Sequence, residues 1–177
     1  KIASLLAITA LLILGWTQRH RFTPIDIGSP APEYSARTLS GEEVSLSSMR
    51  GKVVLLNVWA TWCPPCIREM PAIESAYPQV KAEGFEVLAV SVDALPGSTD
   101  ALGHPGGDIE GFVRELGLTF PILHDPQKII ERKFGIFGLP TTFVIDRTGR
   151  IADKVIGGAA WDDEAHMSML RQLLKQQ

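Results

Sequence analysis

Cysteine is scarce in this 177-residue sequence, which contains only two, Cys63 and Cys66. A chain with a single cysteine pair cannot be a small fold that depends on a framework of disulfides. A bond between two residues so close in the chain would close a very short loop and add little stability through chain entropy. The pair is therefore better suited to redox chemistry than to stabilising the fold.

The sequence also lacks a strong excess of positive or negative charge, with 17 Lys and Arg against 20 Asp and Glu. The formal net charge is −3 and 21% of the residues are charged, so the composition gives no reason to expect nucleic-acid binding. With 45% hydrophobic residues, the chain is neither mostly disordered nor a membrane protein with many spans. The length suits one domain of ordinary size with a single core, and we expect a monomer.

A long hydrophobic run occurs only at the start of the sequence. Ile2 to Trp16 are mostly apolar, follow a single lysine, and precede the polar and basic residues 17–21. This run is short for a membrane-spanning helix and fits the apolar region of a signal peptide equally well. Because no small-x-small cleavage site precedes Arg21, we favour an uncleaved signal anchor over residues 1–21. A cleaved signal and a buried core helix are the alternatives.

The rest of the chain predicts an α/β domain over residues 33–177, after a linker rich in Pro, Gly and Ser at 22–32. Its centre is a buried strand at Val53–Ala60, a helix at Ile67–Tyr77 and a strand at Phe85–Val92, an order that favours a parallel βαβ unit. Further predicted segments are a hairpin (33–39 and 43–46), a long exposed loop (93–107), a helix (108–116), a strand (120–123), a helix (126–134), a second hairpin (141–145 and 151–156) and a final helix (162–175).

The cysteine pair lies between the buried strand and the helix. Cys63 is then at the helix N-terminus, where free N–H groups and the macrodipole stabilise a thiolate, so we expect it to be reactive and exposed to solvent. Cys66 lies one turn further in and can form or release a disulfide by exchange, without a cofactor. Pro64 and Pro65 between them have no N–H to donate, which leaves the thiolate less stabilised and favours a reducing couple.

Several motifs carry a family resemblance. The sequences WCPPC at 62–66 and GLPT at 138–141 resemble the active site and the cis-proline loop of thioredoxins. GSPAP at 28–32, RGKVVLLNVWATWCPPC at 50–66 and LPTTFVID at 139–146 are similar to the TlpA/ResA branch of membrane-anchored, extracytoplasmic thioredoxin-like proteins. The resemblance runs from Gly28 to the C-terminus, with a loop at 93–107 that is longer than usual.

The resemblance implies a thioredoxin-like fold, with a central mixed β-sheet flanked by helices and an N-terminal membrane anchor helix. It implies a protein-disulfide oxidoreductase with Cys63 as nucleophile and Cys66 as resolving cysteine. Thioredoxin has a buried Asp where this chain has Asn57, and Ala89 replaces the lysine partner of that Asp. The resemblance to ResA-type proteins implies that Glu69, three residues after Cys66, handles protons near the sulfurs. The alternative for Glu69 is a solvated carboxylate on a helix.

The same resemblance implies where a substrate binds. A cis peptide bond before Pro140 places the backbone of Leu139 beside the disulfide, where it can pair with an extended substrate strand. Trp62 and Pro64 are expected to form an apolar rim around Cys63. For Trp62 the alternative is ordinary packing, which is also what we expect of Trp59 and Trp161.

Partners and location also follow from the resemblance only. It implies substrate proteins with disulfides or thiols, among them apocytochrome c, and a membrane thiol reductant of the CcdA or DsbD type. It implies a domain on the periplasmic side of the inner membrane.

Two other functional classes are compatible with the sequence. The first is a thioredoxin-fold copper-binding protein, although such proteins separate their cysteines by three residues rather than two. The four histidines also show no ligand spacing to the cysteines. The second is a redox-inert interaction module, which the intact CxxC disfavours.

Overall fold

The computed structural model describes residues 25–176, which contain one seven-stranded mixed sheet. The strands are β1 (Ser35–Thr38), β2 (Glu43–Ser45), β3 (Val53–Trp59), β4 (Phe85–Ser91), β5 (Ile122–His124), β6 (Thr141–Ile145) and β7 (Ile151–Ile156), in the spatial order β2-β1-β5-β4-β3-β6-β7. The helices are α1 (Pro64–Val80), α2 (Ile109–Leu116), α3 (Ile129–Phe134) and α4 (Glu164–Lys175).

The predicted βαβ unit is confirmed. β3 pairs with β4 in parallel, from Val53 opposite Phe85 to Trp59 opposite Ser91, and α1 connects the two strands. Every residue of β3 is buried, as expected for a continuous apolar run in a strand covered on both faces. The end of β3 and the start of α1 are therefore fixed by the core on both sides of the cysteine pair.

Both predicted hairpins are confirmed. β1 pairs antiparallel with β2 and with β5, and β6 pairs antiparallel with β3 and with β7. In the turn between β6 and β7, Asp146 accepts hydrogen bonds from the N–H groups of Thr148 and Arg150. Residues 28–31, which the sequence assigns to the linker, form backbone hydrogen bonds with Gly149 in this turn and with Ile151 at the start of β7. That part of the chain is fixed to the domain.

Several element boundaries were wrong by two or three residues. The helix predicted over 126–134 begins only at Ile129, because Lys128 has a left-handed backbone (φ 54°) that the helix cannot include. The strand predicted at 120–123 is shifted to Ile122–His124. Helix α1 continues three residues past its predicted end, since Val80 is fully buried and adds to the core.

The predicted signal anchor at 1–21 lies outside the described residues. Within residues 25–176, no helix is both long and apolar enough to span a bilayer.

The packing role expected for Trp59 and Trp161 agrees with the structure, in which both are fully buried. Trp59 packs against Phe112 of α2, with 5.1 Å between ring centroids.

Candidate active site

The two cysteines form a disulfide at the start of α1. The bond is closed (2.09 Å between the sulfurs), and Cys63 is the N-cap of the helix. Its Sγ accepts a hydrogen bond from the N–H of Cys66 at 3.3 Å. Pro64 and Pro65 occupy the first two helical positions and have no N–H, so the Cys66 N–H is the first helical donor available to Cys63.

The expected solvent exposure of Cys63 was wrong for this oxidised form. Its relative exposure is 4%, against 0% for Cys66, so Cys63 is the more accessible sulfur but is nearly buried. The reason is that Cys63 is bonded to Cys66 and borders a surface groove rather than protruding from it. A substrate sulfur must therefore enter this groove to reach Cys63.

The groove has a volume of about 550 Å³ and is bordered by residues from four parts of the chain. Leu139 and Pro140 precede β6 and are joined by a cis peptide bond, as predicted. The carbonyl of Pro140 accepts a hydrogen bond from Gly157, whereas the N–H and C=O of Leu139 have no partner among the described residues. Groove residues include Trp62, Cys63, Pro64, Leu102, Phe137 and Leu139.

Glu69 is not a solvated carboxylate. It lies on α1 one turn after Cys66 and is buried, with 3% exposure. Oε1 accepts a hydrogen bond from Nδ2 of Asn57 at 2.7 Å, and Oε2 accepts one from the N–H of Ala159 at 3.1 Å. Burial raises the pKa of Glu69, and these hydrogen bonds partly offset the effect. The nearby indole of Trp161 also favours the charged form of Glu69. Its N–H does not form a hydrogen bond to a described residue.

Asn57 orients this carboxylate from the neighbouring strand. It is fully buried in β3, and its Nδ2 also donates to Oγ1 of Thr142 at 2.8 Å, while its Oδ1 has no partner among the described residues. Both amide hydrogens are thus used, which fixes the side chain with its donors toward Glu69 and Thr142. Ala89 lies opposite Asn57 in the β3–β4 register and supplies no cation to this position.

Trp62 belongs to a cluster that sequence reasoning missed. Its ring stacks on His104 with 3.8 Å between centroids and 7° between planes, and Nζ of Lys128 lies 5.7 Å from the ring. Asp100 lies between Lys128 and His104 and contacts both. Its Oδ2 is 2.6 Å from Nζ of Lys128 and 3.0 Å from Nδ1 of His104. Desolvation opposes the charge on Asp100, but the hydrogen bonds from Lys128 and His104 hold its pKa below the ordinary value. The long loop is thereby attached to the active-site tryptophan.

No sequence signal identified this cluster, because His104 and Lys128 are distant in the chain from Trp62, His104 lies in a loop without periodicity, and Lys128 was assigned to a helix. Phe137 was missed for the same reason. In residues 25–176, no group of three or more His, Cys, Asp or Glu side chains is arranged to hold a metal ion.

Comparisons with known proteins agree with the geometry. A family model described as AhpC/TSA matches residues 27–154. The thiol-disulfide oxidoreductase ResA of Geobacillus kaustophilus is 37% identical over 169 residues, which cover 93% of this chain and 91% of the relative. Thioredoxin-like protein YneN of Bacillus subtilis is 36% identical over 160 residues. This match covers 88% of this chain and 89% of YneN.

Solved structures point in the same direction. A crystal structure from Chlorobium tepidum, of a protein provisionally named thiol:disulfide interchange protein DsbE, has a TM-score of 0.73 and 33% identity. That match covers 85% of this chain and 99% of the other. The sheet and flanking helices described above are thus those of a known class of redox proteins.

Proposed function

Because this chain belongs to the AhpC/TSA family of thioredoxin-like proteins, and is a thiol-disulfide oxidoreductase similar to ResA, we propose that it reduces disulfides of exported proteins while tethered to the membrane. The observation that carries the proposal is the Cys63–Cys66 pair at the start of a helix, beside the cis Leu139–Pro140 bond. The thioredoxin-like fold predicted from the sequence is confirmed.

In the reducing direction, the thiolate of Cys63 attacks one sulfur of a substrate disulfide. The other substrate sulfur leaves as a thiolate, and a mixed disulfide to Cys63 results. The thiolate of Cys66 then attacks Sγ of Cys63 and displaces the second substrate sulfur. Two electrons pass from the cysteine pair to the substrate, which departs as a dithiol, and the pair becomes the disulfide seen in the structure.

Glu69 is suited to the second step. Cys66 must lose a proton before it attacks, and Glu69 follows it by three positions on α1, on the same side of the helix. Burial raises the carboxyl pKa and brings it closer to that of a thiol, which makes proton exchange between the two groups easier. Asn57 and the N–H of Ala159 hold the carboxylate in place for this transfer.

The two prolines support the reducing direction, and one of them allows a direct test. An N-cap side chain accepts hydrogen bonds from the N–H at the second or third helical position, and Pro65 removes the donor at the second. Pro65→Ala restores that N–H. It is expected to make the couple more oxidising by roughly 30 to 60 mV, since a hydrogen bond to a charged group contributes about 1.5 to 3 kcal/mol.

The measurement is the reduction potential in glutathione redox buffers at pH 7. Pro64→Ala is the matched control, because the first helical N–H is not directed at the N-cap side chain, and a smaller shift is expected. Equal shifts in the two variants, or none in Pro65→Ala, would contradict the hydrogen-bond argument.

The substrate and the location are proposed on less direct support. The apolar run before residue 21 supports a membrane anchor, and the likeness to the TlpA/ResA branch supports an extracytoplasmic domain. Apocytochrome c, whose haem-binding CxxC can oxidise, is the proposed substrate, and a membrane protein of the CcdA or DsbD type is the proposed electron source. Such a donor is needed because cytosolic thiols do not reach that compartment.

Two measurements test this proposal. The reduced protein is mixed with an oxidised Cys-x-x-Cys-His peptide, and we expect the peptide to become reduced as the Cys63–Cys66 disulfide forms. In cells that express the full chain, a membrane-impermeant thiol reagent should label the reduced protein without lysis. The labelled protein is then purified, and its label reports on Cys63 and Cys66, the two cysteines of this sequence. Labelling only after lysis would exclude an extracytoplasmic site, and an unreacted peptide would exclude the proposed substrate class.

A further inference from the structure

We propose that Leu102 and Phe137 form an apolar clamp that selects substrates with an apolar side chain next to the reactive cysteine. This inference rests on the proposed function, since it describes the polypeptide that enters the groove beside Cys63. The clamp is defined by these two residues, one from the long loop and one from the segment before β6. Its occupant is an extended polypeptide that carries a disulfide.

The first support is the exposure of the two side chains. Leu102 is 78% exposed and Phe137 is 102% exposed, and both border the groove that contains Cys63. Among the described residues only five large apolar side chains are exposed, and two of them are at this groove. Apolar side chains grouped around a reactive group mark a surface that a partner covers.

The second support is that the loop carrying Leu102 is held in place. The N–H of Leu102 donates to Oδ1 of Asp100 at 2.8 Å, and the same carboxylate group is paired with Lys128. His104, two residues after Leu102, stacks on Trp62. A side chain presented by an ordered turn loses less entropy when a partner binds, so it contributes more to affinity than one on a mobile loop.

The third support concerns the backbone of the occupant. The N–H and C=O of Leu139 have no partner among the described residues and lie beside the groove. They can form main-chain hydrogen bonds with an extended peptide, which then pairs with this segment as a β-strand pairs with its neighbour. The occupant is therefore an extended chain with its cysteine at Cys63.

Charge does not favour another kind of partner. Three ionisable side chains other than Cys63 border the groove: one basic, Lys128, one acidic, Glu131, and one histidine, His104. The charge of Lys128 is already paired with Asp100 at 2.6 Å. Glu131 is then the one charged groove side chain without an ion-pair partner among the described residues. A single carboxylate attracts a charged partner only weakly, so the groove distinguishes its substrates mainly by apolar contact.

The test uses two disulfide-bonded peptides that differ only in the residue next to the attacked cysteine, which is leucine in one and serine in the other. The measured quantity is the ratio of kcat/KM for the leucine peptide to that for the serine peptide. We expect the wild type to prefer the leucine peptide. Leu102→Ser and Phe137→Ser should each lower the ratio about 10-fold, mainly through KM, because each removes the apolar surface that contacts the leucine.

Leu95→Ser is the matched control. Leu95 lies in the same loop and is 58% exposed, but it borders a different cavity and not the groove beside Cys63. This variant should keep the wild-type ratio, and thermal unfolding of all variants checks that the fold is intact.

The outcomes separate the clamp from the proposed function. A wild-type ratio near one, or a ratio unchanged in both Leu102→Ser and Phe137→Ser, overturns the clamp and leaves the reductase activity established. If the wild type reduces neither peptide, the proposed function fails and the clamp fails with it. Because the readout is a ratio, a general loss of rate in a variant does not imitate the expected result.

Discussion

Cys66→Ser should stop the reaction at the mixed disulfide and capture substrate proteins on Cys63. The serine cannot attack Sγ of Cys63, so the second exchange step has no nucleophile and turnover falls to the uncatalysed background. Cys63 is the more accessible of the two sulfurs and borders the groove, which is why it is the one expected to be linked to the substrate. Non-reducing electrophoresis of the expressed variant, followed by mass spectrometry of the adducts, measures the captured partners.

Cys63→Ser is the matched control. It leaves Cys66, which has 0% exposure, as the remaining cysteine, so few or no adducts are expected. Equal capture of the same proteins by both variants would show that the nucleophile is assigned to the wrong cysteine. Adducts that consist of exported proteins with CxxC motifs would support the proposed substrate class, and adducts that consist only of cytosolic proteins would contradict it.

Asn57→Asp should destabilise the protein strongly at high pH. The substitution places a second carboxyl group where an amide now donates to Oε1 of Glu69 at 2.7 Å, and both positions are buried. Two buried carboxylates at this distance repel each other and lose the amide donor, which we expect to cost about 3 kcal/mol of unfolding free energy at pH 8. Urea unfolding at several pH values measures the effect.

The sign of the pH dependence follows from the direction of the pKa shifts. The pKa of Glu69 is already raised in the folded state, and an aspartate at position 57 would raise it further. A group with a raised folded pKa binds more protons in the folded state than in the unfolded state, so stability falls as pH rises through this range. The deficit of Asn57→Asp relative to the wild type should therefore shrink as the pH is lowered toward 5.

Two further variants isolate the cause. Asn57→Asp combined with Glu69→Gln leaves one carboxyl group and one amide in the pair, and should recover most of the lost stability at pH 8. Ser75→Glu adds one negative charge at an exposed position in the middle of α1 and should change stability by less than about 0.5 kcal/mol. If the double variant is as unstable as Asn57→Asp alone, repulsion between the two carboxylates is not the reason.

These variants also bear on how the site handles protons. Asn57 cannot release a proton at neutral pH, so Glu69 is the ionisable member of this buried pair. Its hydrogen bonds come from β3 and from the backbone at Ala159, elements that are distant in sequence. The position of the carboxylate is thus set by β3 and by the segment after β7, while its spacing from Cys66 is set by helix α1.

Much of the fold could be predicted from local patterns. The apolar run of β3, the prolines that open α1 and the turn after β6 each constrain the backbone through interactions between near neighbours in the chain. The shifted start of α3 could not be predicted, because the left-handed backbone of Lys128 is not encoded by a glycine or asparagine. Its side chain instead contacts Asp100 and Trp62, which lie in other parts of the chain.

The sequence by itself determined the chemistry: two cysteines at a helix start, two prolines without N–H groups between them, and an asparagine at the position where thioredoxin has a buried Asp. These properties depend on residue identity and on spacing within one turn. Only the tertiary structure decided that Glu69 is buried, that Cys63 lies at a groove rather than on an open surface, and that the long loop is attached to Trp62. Such contacts join residues far apart in the chain, and their energies depend on packing and desolvation, which exist only once the sheet and loops have come together.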